Sequence, residues 1–409
     1  MLRADCDVIV KSAIRRVQPG SAVQRALSGR NFDTGRIILV SVGKAGWSMA
    51  KAALECLPRR PDAGIVITKY DHSGGALDGV EIWEAGHPVP DENSFSAARR
   101  ALELTDALRA EDTVIFLLSG GGSALFEQPL VAEDELKDIT GQLLACGADI
   151  VEMNTIRKRL SGVKGGRFAQ HCAPAKVVSV VLSDIIGDPL DMIASGPAYP
   201  DGSTCEEALS IAKKYGLRLS EKAWELLGEE TPRELNNVET MITGSVRELC
   251  SAAAEACREL GYEPIMLSDC LTCQAKEAGS FLASVARSHQ DTEKSLAFLA
   301  GGETVVYLTG HGKGGRNQEL ALSAAEGIAG LKETAVFSVG SDGTDGPTDA
   351  AGGFVTGETR AHLEQKGIRI HDILQDNDAY RALEACGGLI VTGATGTNVN
   401  DIAVVLIRR

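Results

Sequence analysis

Two glycine-rich loops in this sequence carry a cation and have the composition of an anion-binding site. Gly43-Lys44-Ala45-Gly46 comes before one helical stretch, and Gly314-Gly315-Arg316 opens another. Glycine lets backbone N–H groups approach an anion, a helix N-terminus adds partial positive charge, and the side chain adds a full charge. We expect Lys44 and Arg316 to hold a phosphate or carboxylate group. The plainer alternatives are a tight turn with a solvated lysine for Lys44 and a capped helix with a surface arginine for Arg316.

A third loop, from Ser119 to Ser123, places three consecutive glycines between two serines. Glycines lose much conformational entropy on folding, so their concentration after an apolar run indicates close approach of the backbone to a ligand. Successive N–H groups in such a loop form a concave nest that suits an anion. The substrate- and phosphate-binding residues predicted in these loops are Gly43, Ser119, Gly120, Gly121, Gly122 and Ser123.

Five cations lie between residues 157 and 167 with no acid among them, in a chain whose formal net charge is −15. Such a run is usually a solvated helix face. The interleaved glycines and the reversal of sign make phosphate or carboxylate binding an equal alternative. From this run we take Arg157 and Lys164 as further candidates for substrate or phosphate binding.

Acidic glycine-rich loops supply carboxylates that could hold a metal ion. One loop contains Asp342 and Asp345, and another contains Asp184 and Asp188. Their spacing does not match an EF-hand, whereas Mg²⁺ needs only one or two carboxylates together with substrate phosphates. Asp and Gly are also ordinary turn residues. The predicted metal ligands are Asp184, Asp188, Glu303, Asp342 and Asp345. The sequence does not rank the first four between metal binding and accepting a substrate hydroxyl proton.

The elements that must position these loops follow an α/β pattern. Short β-branched runs alternate with longer amphipathic stretches, which is typical of crossover units and a mainly parallel sheet. Ligands of such sheets bind beyond the carboxyl ends of the strands, where these loops lie. The predicted strands, too many for one such sheet, are 37–42, 64–68, 80–83, 114–118, 177–182, 264–267, 296–300, 305–308, 334–339, 389–392 and 402–407.

Length and composition place the chain among multi-domain globular enzymes. It has 409 residues, 44% of them hydrophobic and 24% charged. The polar stretch around Pro232 predicts a division into domains 1–232 and 233–409. The acidic balance argues against nucleic acid or an anionic membrane as a general partner. No apolar run reaches the roughly 18 residues of a membrane helix, and no secretory signal opens the chain, so we expect a cytoplasmic protein.

Read together, these segments resemble the class II glycerate kinases, the glycerate 2-kinase family with a C-terminal MOFRL domain. The matching stretches include the loops at 42–46, 119–124 and 154–166, and further ones at 86–91, 182–189, 194–197, 301–303, 314–319, 341–349 and 395–398. The resemblance implies a Rossmann-like N-terminal α/β domain, a smaller α/β/α C-terminal domain with a mixed sheet, and a catalytic cleft between them. It also implies ATP and Mg²⁺ as cofactors, D-glycerate as the substrate that becomes 2-phosphoglycerate, and Lys44 and Arg316 as the catalytic cations.

Two alternatives from other classes remain. An NAD(P)H-dependent hydroxypyruvate reductase would handle the same carbon skeleton, but no G-x-G-x-x-G follows a predicted strand with an acid about 20 residues further on. A non-catalytic ligand-binding protein is disfavoured because paired basic and acidic glycine loops lower stability without serving a core. The expected partners are therefore the small molecules D-glycerate and ATP, and assembly into a homo-oligomer stays open.

Overall fold

Helices and strands alternate along the chain, as the sequence pattern predicts. The computed structural model describes residues 1–32 and 34–409. In chain order the elements are α1 (Leu2–Arg16), α2 (Pro19–Leu27), β1 (Ile37–Val42), α3 (Gly46–Cys56), β2 (Ala63–Lys69), β3 (Glu81–Ala85), α4 (Glu92–Leu104), β4 (Thr113–Leu118), α5 (Gly122–Leu125), α6 (Glu133–Ala145), α7 (Ile150–Arg159), α8 (Arg167–His171), β5 (Lys176–Leu182), α9 (Cys205–Lys214), α10 (Glu221–Leu227), β6 (Val238–Gly244), α11 (Val246–Glu259), β7 (Glu263–Leu271), α12 (Ala275–Ser288), β8 (Leu296–Gly302), α13 (Arg316–Gly327), β9 (Thr334–Gly340), β10 (Gly352–Thr356), α14 (Thr359–Gln365), α15 (Ile370–Gln375), α16 (Ala379–Ala385), β11 (Leu389–Ile390) and β12 (Asp401–Ile407).

The first sheet has the strand order β3-β2-β1-β4-β5-β6, and β1 to β5 run parallel to one another. Every residue of β1 is buried because helices cover both faces of the sheet, which explains its unbroken apolar sequence. Val42 is in register with Ile67 of β2 and Leu118 of β4. The loops that follow β1, β2 and β4 therefore leave the sheet at one edge.

The second sheet is mixed, with the order β11-β10-β9-β12-β8-β7. Strand β12 runs antiparallel to both β8 and β9, whereas β7 runs parallel to β8. Asp401, the first residue of β12, pairs with Gly302 at the end of β8 and with Gly340 at the end of β9. The predicted fold class, a parallel-sheet N-terminal α/β part and a mixed-sheet C-terminal α/β part, is confirmed.

The packing divides the chain differently from the predicted boundary at residue 232. One compact unit comprises Ala22–Leu182 and Asp188–Thr243, and the other comprises Met1–Ser21, Ser183–Gly187 and Gly244–Arg409. Residues after 232 stay with the first unit because β6 lies beside β5. Helix α1 belongs to the second unit because its apolar face, including Ile9, packs on α11 around Leu249. The predicted functional division into the domains 1–232 and 233–409 stays a prediction.

One predicted strand is absent from the structure, and two observed strands were not predicted. Residues 305–308 form no strand; Val305 makes a single bridge with Gln274, and Leu308 is 83% exposed. Strand β6 was not predicted because most of its residues are only half-buried. Strand β10 was not predicted because it begins with glycine: at Gly352 a Cβ would lie only 1.9 Å from the carbonyl oxygen of Ser338. Among the described residues, no helix is both long and apolar enough to cross a membrane.

Candidate active site

The loop after β1 presents Lys44 at the edge of the first sheet. The N–H of Lys44 donates to the Gly120 carbonyl oxygen at 2.9 Å, and the N–H of Ala45 donates to Oγ of Ser119 at 3.1 Å. Gly43 has φ +119°, and a Cβ there would lie 2.2 Å from Oγ of Ser119, so only glycine fits. The backbone is thus tied to the loop after β4 while the Lys44 side chain stays exposed.

The loop after β4 turns directly into the short helix α5. Gly121 is the residue before that helix and has a left-handed φ of +89°. A Cβ on Gly121 would lie 3.4 Å from Cγ of Lys44, so the lysine stem passes over this glycine. The structure therefore brings together the predicted residues Gly43, Lys44, Ser119, Gly120, Gly121, Gly122 and Ser123.

The run of five cations is mostly a buried network. The ammonium of Lys158 lies 3.1 Å from Asp201, and Arg159 is fully buried and donates to the carbonyl oxygen of Ser203. Only Arg157 reaches the glycine loop, where it donates to the Ser123 carbonyl oxygen at 3.0 Å. Most of this charge therefore holds the first unit together.

Lys164, predicted to bind substrate, is fully buried in this structure. Its ammonium lies 3.1 Å from the Glu127 carboxylate and donates to the Phe126 carbonyl oxygen at 2.8 Å. Burial lowers the pKa of Lys164 to about 8, against the opposing charge of Glu127. This placement argues for an internal ion pair and against a direct phosphate contact.

Ser195 and Asn154, which the sequence analysis did not name as site residues, lie next to Ser123. The hydroxyl of Ser195 lies 3.3 Å from that of Ser123 and donates to Oδ1 of Asn154 at 2.8 Å. Ser195 is buried and, with Ala194 and Gly196, has a left-handed φ. Such strain persists where the surrounding structure enforces it and is frequent at functional sites. In the sequence, the signals that could have identified these two residues are the Ala-Ser-Gly-Pro stretch around Ser195 and the position of Asn154 just before the run of cations.

In the second unit, Arg316 begins α13 and is held between two carboxylates. Its Nε donates to Oδ2 of Asp401 at 2.6 Å and its Nη2 to Oδ1 at 3.1 Å. Its Nη1 donates to Glu303 at 2.9 Å. Burial disfavours the charged guanidinium, but the hydrogen bonds and charge of Asp401, with the charge of Glu303, raise the pKa of Arg316. Its side chain is still one-third exposed, at 33%.

Asp401 is a site residue that our sequence analysis missed. Its side chain is nearly buried, and burial raises its pKa although Arg316 opposes this. The signal was a charged residue that opens an otherwise apolar strand, 401–407. Nothing local in the sequence connects it with Arg316, which lies 85 residues earlier.

Asp345, predicted to be a metal ligand, instead caps α13. Its two carboxylate oxygens accept the N–H groups of Asn317 at 3.1 Å and Gln318 at 2.8 Å. Only glycine fits at Gly315, where a Cβ would lie 2.4 Å from this carboxylate. Burial raises the pKa of Asp345 to about 7, despite these hydrogen bonds. Each oxygen thus accepts one backbone N–H group, and the role of Asp345 as a metal ligand stays a prediction.

Arg316 faces a cavity of about 640 Å³ within the second unit. Its walls combine Glu303 and Asp342 with apolar side chains such as Val305 and Leu308. The irregular segment that forms one wall is tied down by Asn377, whose Oδ1 accepts the N–H groups of Thr309 at 2.7 Å and Gly310 at 3.0 Å. A polar end next to an apolar wall is the composition of a small-molecule site.

The remaining predicted metal ligands are dispersed. Asp342 accepts the N–H of Thr344 at 2.9 Å and is partly exposed, and Asp184 belongs to the second packing unit. Asp188 has a left-handed φ of +51°, and its Oδ1 is buried with no hydrogen-bond partner in the described part of the chain. Across residues 1–32 and 34–409, no group of three or more His, Cys, Asp or Glu is placed to hold a metal ion.

Known proteins match the chain over nearly its full length. Residues 5–228 match a domain of unknown function, DUF4147, and residues 296–401 match the MOFRL family. The D-glycerate 2-kinase of Thermotoga maritima is 51% identical over 405 residues, which cover 98% of this chain and 97% of that protein. The chain belongs to the glycerate kinase family.

Solved structures agree with this assignment. The crystal structure of a glycerate kinase from Thermotoga maritima matches with a TM-score of 0.95 and 50% identity, over 99% of each chain.

A protein of Agrobacterium vitis named as a hydroxypyruvate reductase is 38% identical, over 98% of this chain and 93% of its own length. Membership of the glycerate kinase family makes the chain an enzyme of the kinase class.

Proposed function

We propose that this enzyme transfers the γ-phosphoryl group of ATP to the 2-hydroxyl of D-glycerate, forming 2-phosphoglycerate and ADP with Mg²⁺ bound to the nucleotide. The observation that carries the proposal is the corner formed by Lys44 and the glycines 120–122, in a chain that is 51% identical to a D-glycerate 2-kinase. Phosphoryl transfer needs positioning and positive charge more than covalent chemistry.

The first unit supplies a positive corner in which the Lys44 ammonium has no hydrogen-bond partner among the described residues. In this proposal the Lys44 ammonium and the N–H groups of residues 120–123 contact phosphate oxygens, since the N–H of Ser119 already donates to the Val42 carbonyl oxygen at 2.9 Å. Arg157 supports the loop through Ser123. A flexible lysine can follow the phosphoryl group as it moves from ATP to the acceptor oxygen.

The second unit supplies a planar cation for a carboxylate or phosphoryl group. Asp401 fixes one edge of the Arg316 guanidinium and leaves the contact of Nη1 with the half-exposed Glu303 as the weaker one. An anionic substrate group that approaches Nη1 can therefore replace Glu303 while Asp401 keeps the fork aligned. The proposal includes the cleft between the two domains that the family resemblance implies, in which Lys44 and Arg316 would act on one pair of substrates.

The acidic residues fit Mg²⁺ that arrives with the nucleotide better than a resident metal ion. Mg²⁺ keeps several waters and needs only one or two carboxylates when phosphates supply the other ligands. The buried, unpartnered oxygen of Asp188 is suited to such a contact, and Asp342 keeps one carboxylate oxygen outside the hydrogen bond to Thr344. When bound, Mg²⁺ would neutralise charge on the phosphates.

The test is turnover of the purified full-length chain with D-glycerate, ATP and MgCl₂. We expect ADP release that needs all three, and ³¹P NMR should identify 2-phosphoglycerate. Because a relative carries the name hydroxypyruvate reductase, a parallel sample receives hydroxypyruvate and NADH. NADH oxidation without glycerate-dependent ADP release would overturn the proposal. The expected cytoplasmic location and the absence of a nucleic-acid partner belong to the same proposal.

A further inference from the structure

His87 lies at the same corner of the first unit as Lys44, in the segment that follows β3. Its ring covers Gly121: a Cβ on this glycine would lie 3.0 Å from Cδ2 and 3.2 Å from Nε2 of His87. The same point is 3.4 Å from Cγ of Lys44. An imidazole, a lysine and the glycine loop therefore meet at one place, although the proposed function gives His87 no role.

The surroundings of His87 keep its imidazole neutral. Burial lowers the pKa of His87, and the positive charges of Lys44, Lys69 and His72 lower it further. These charged and titratable groups act on the ring from the loop after β1, from the end of β2 and from the segment after β2. Neither ring nitrogen has a hydrogen-bond partner among the residues described by the structure. A half-buried, neutral imidazole therefore keeps one nitrogen lone pair available at neutral pH.

We propose that His87 accepts the hydroxyl proton of the acceptor while the phosphoryl group is transferred. This inference rests on the proposed function. The O–H bond of the hydroxyl breaks and its proton moves to the bare ring nitrogen. The hydroxyl oxygen bonds to the γ-phosphorus of ATP, and the bond from that phosphorus to the bridging oxygen breaks, leaving its electron pair on ADP. The imidazolium returns its proton to solvent as products leave.

The charge balance of this corner suits that step. Lys44 and Lys69 would oppose an imidazolium in the free enzyme, but the anionic phosphates and the substrate carboxylate offset this opposition once they are bound. General-base catalysis contributes roughly 10²- to 10⁴-fold, and the loose transition state of phosphoryl transfer places the expected gain near 10²-fold.

The first test compares His87→Gln with His362→Gln, an exposed histidine on α14 that has no role in the proposal. We expect His87→Gln to lower the single-turnover rate about 10²-fold and to remove the acid limb of the kcat/KM profile below pH 6.5, with ATP binding retained. His362→Gln should behave like the wild type. A His87→Gln enzyme with the wild-type rate and the same acid limb would overturn the inference.

A second variant distinguishes chemistry from misfolding. His87→Ala opens space above Gly121, so added imidazole should restore part of the rate, and more so as the pH rises through the pKa of imidazole. A folded His87→Ala enzyme that is slow and gains nothing from imidazole would contradict proton transfer by this ring. Failure of the wild type to phosphorylate glycerate would instead reject the proposed function, and the inference with it.

Discussion

Asp401 accepts two hydrogen bonds from one edge of the Arg316 guanidinium, and this ion pair connects the start of β12 with the start of α13. The strand pairing explains the position: Asp401 lies between the ends of β8 and β9, so its carboxylate emerges where the Glu303 and Asp342 loops begin. The orientation assigned to Arg316 therefore depends on a residue that lies 85 positions later in the sequence.

Replacing Asp401 by Asn should misalign Arg316. The amide has one acceptor oxygen, and its NH₂ group faces a guanidinium that also donates, so one charged hydrogen bond of about 1.5–3 kcal/mol is lost. We expect kcat/KM for glycerate to fall roughly 10- to 100-fold, with unchanged far-UV circular dichroism. The control is Glu364→Gln, which removes an exposed carboxylate from Arg360 at 2.8 Å. Equal losses in both variants would refute the positioning role of Asp401.

Replacing Lys44 by Met should abolish most turnover without unfolding the enzyme. The side chain is exposed, so its removal disturbs little packing, whereas loss of one hydrogen-bond donor at the reacting group typically lowers kcat by about 10²–10³-fold. Lys51→Met is the matched control, because Lys51 is an exposed lysine on α3 whose ammonium lies 5.6 Å from the Trp47 ring centre. Steady-state kinetics and calorimetric ATP binding check this. Normal kcat in Lys44→Met would remove Lys44 from the chemistry.

The Lys164–Glu127 pair can be separated from substrate binding by a double variant. Glu127→Gln leaves a buried ammonium without its counter-ion, and we expect it to destabilise the enzyme by about 3–5 kcal/mol. The double variant Glu127→Leu with Lys164→Met removes both charges and should recover most of that stability and bind ATP and glycerate normally. Urea unfolding and substrate KM values measure the two effects. A stable double variant with greatly raised KM would restore Lys164 as a substrate ligand.

Asp345 should make the stability of the enzyme fall as the pH rises, which is the opposite of the usual effect of a carboxylate. Its pKa is raised to about 7 in the folded state, whereas in an unfolded chain an aspartate titrates near pH 4. Between these values the folded state keeps a proton that the unfolded state has lost, so stability falls as pH rises, by up to roughly 4 kcal/mol. Asp345→Asn cannot titrate and should lack this component.

The measurement is the urea midpoint of the wild type and of Asp345→Asn at pH 4.5 and pH 8. The difference between the two proteins should move in favour of the variant as the pH rises. A difference that is independent of pH would show that the Asp345 pKa is not raised. The part of the difference in urea midpoint that does not change with pH measures the stability lost when an amide replaces the two carboxylate oxygens that cap α13.

The strands and the glycine loops were predictable because their signals are local. A buried parallel strand such as β1 needs an unbroken apolar run, and a loop that places backbone against backbone needs glycine at positions such as Gly43 and Gly121. Strand β10 was not predictable in this way, because its two leading glycines indicate a loop when they are considered in isolation. Gly352 is required by the neighbouring strand β9, and a Cβ on Gly353 would lie 2.7 Å from Leu383 of α16.

The sequence by itself determined the α/β class, the family and the loops that carry Lys44 and Arg316, because apolar periodicity, turn glycines and motif order are properties of neighbouring residues. Only the tertiary structure decided what each charge does. Lys164 and Asp345 look like Lys44 and Asp342 in the sequence, yet the first two are buried against partners and the others reach solvent. Burial and the pairing of charges depend on segments distant along the chain, as Arg316 and Asp401 show, and no local pattern records them.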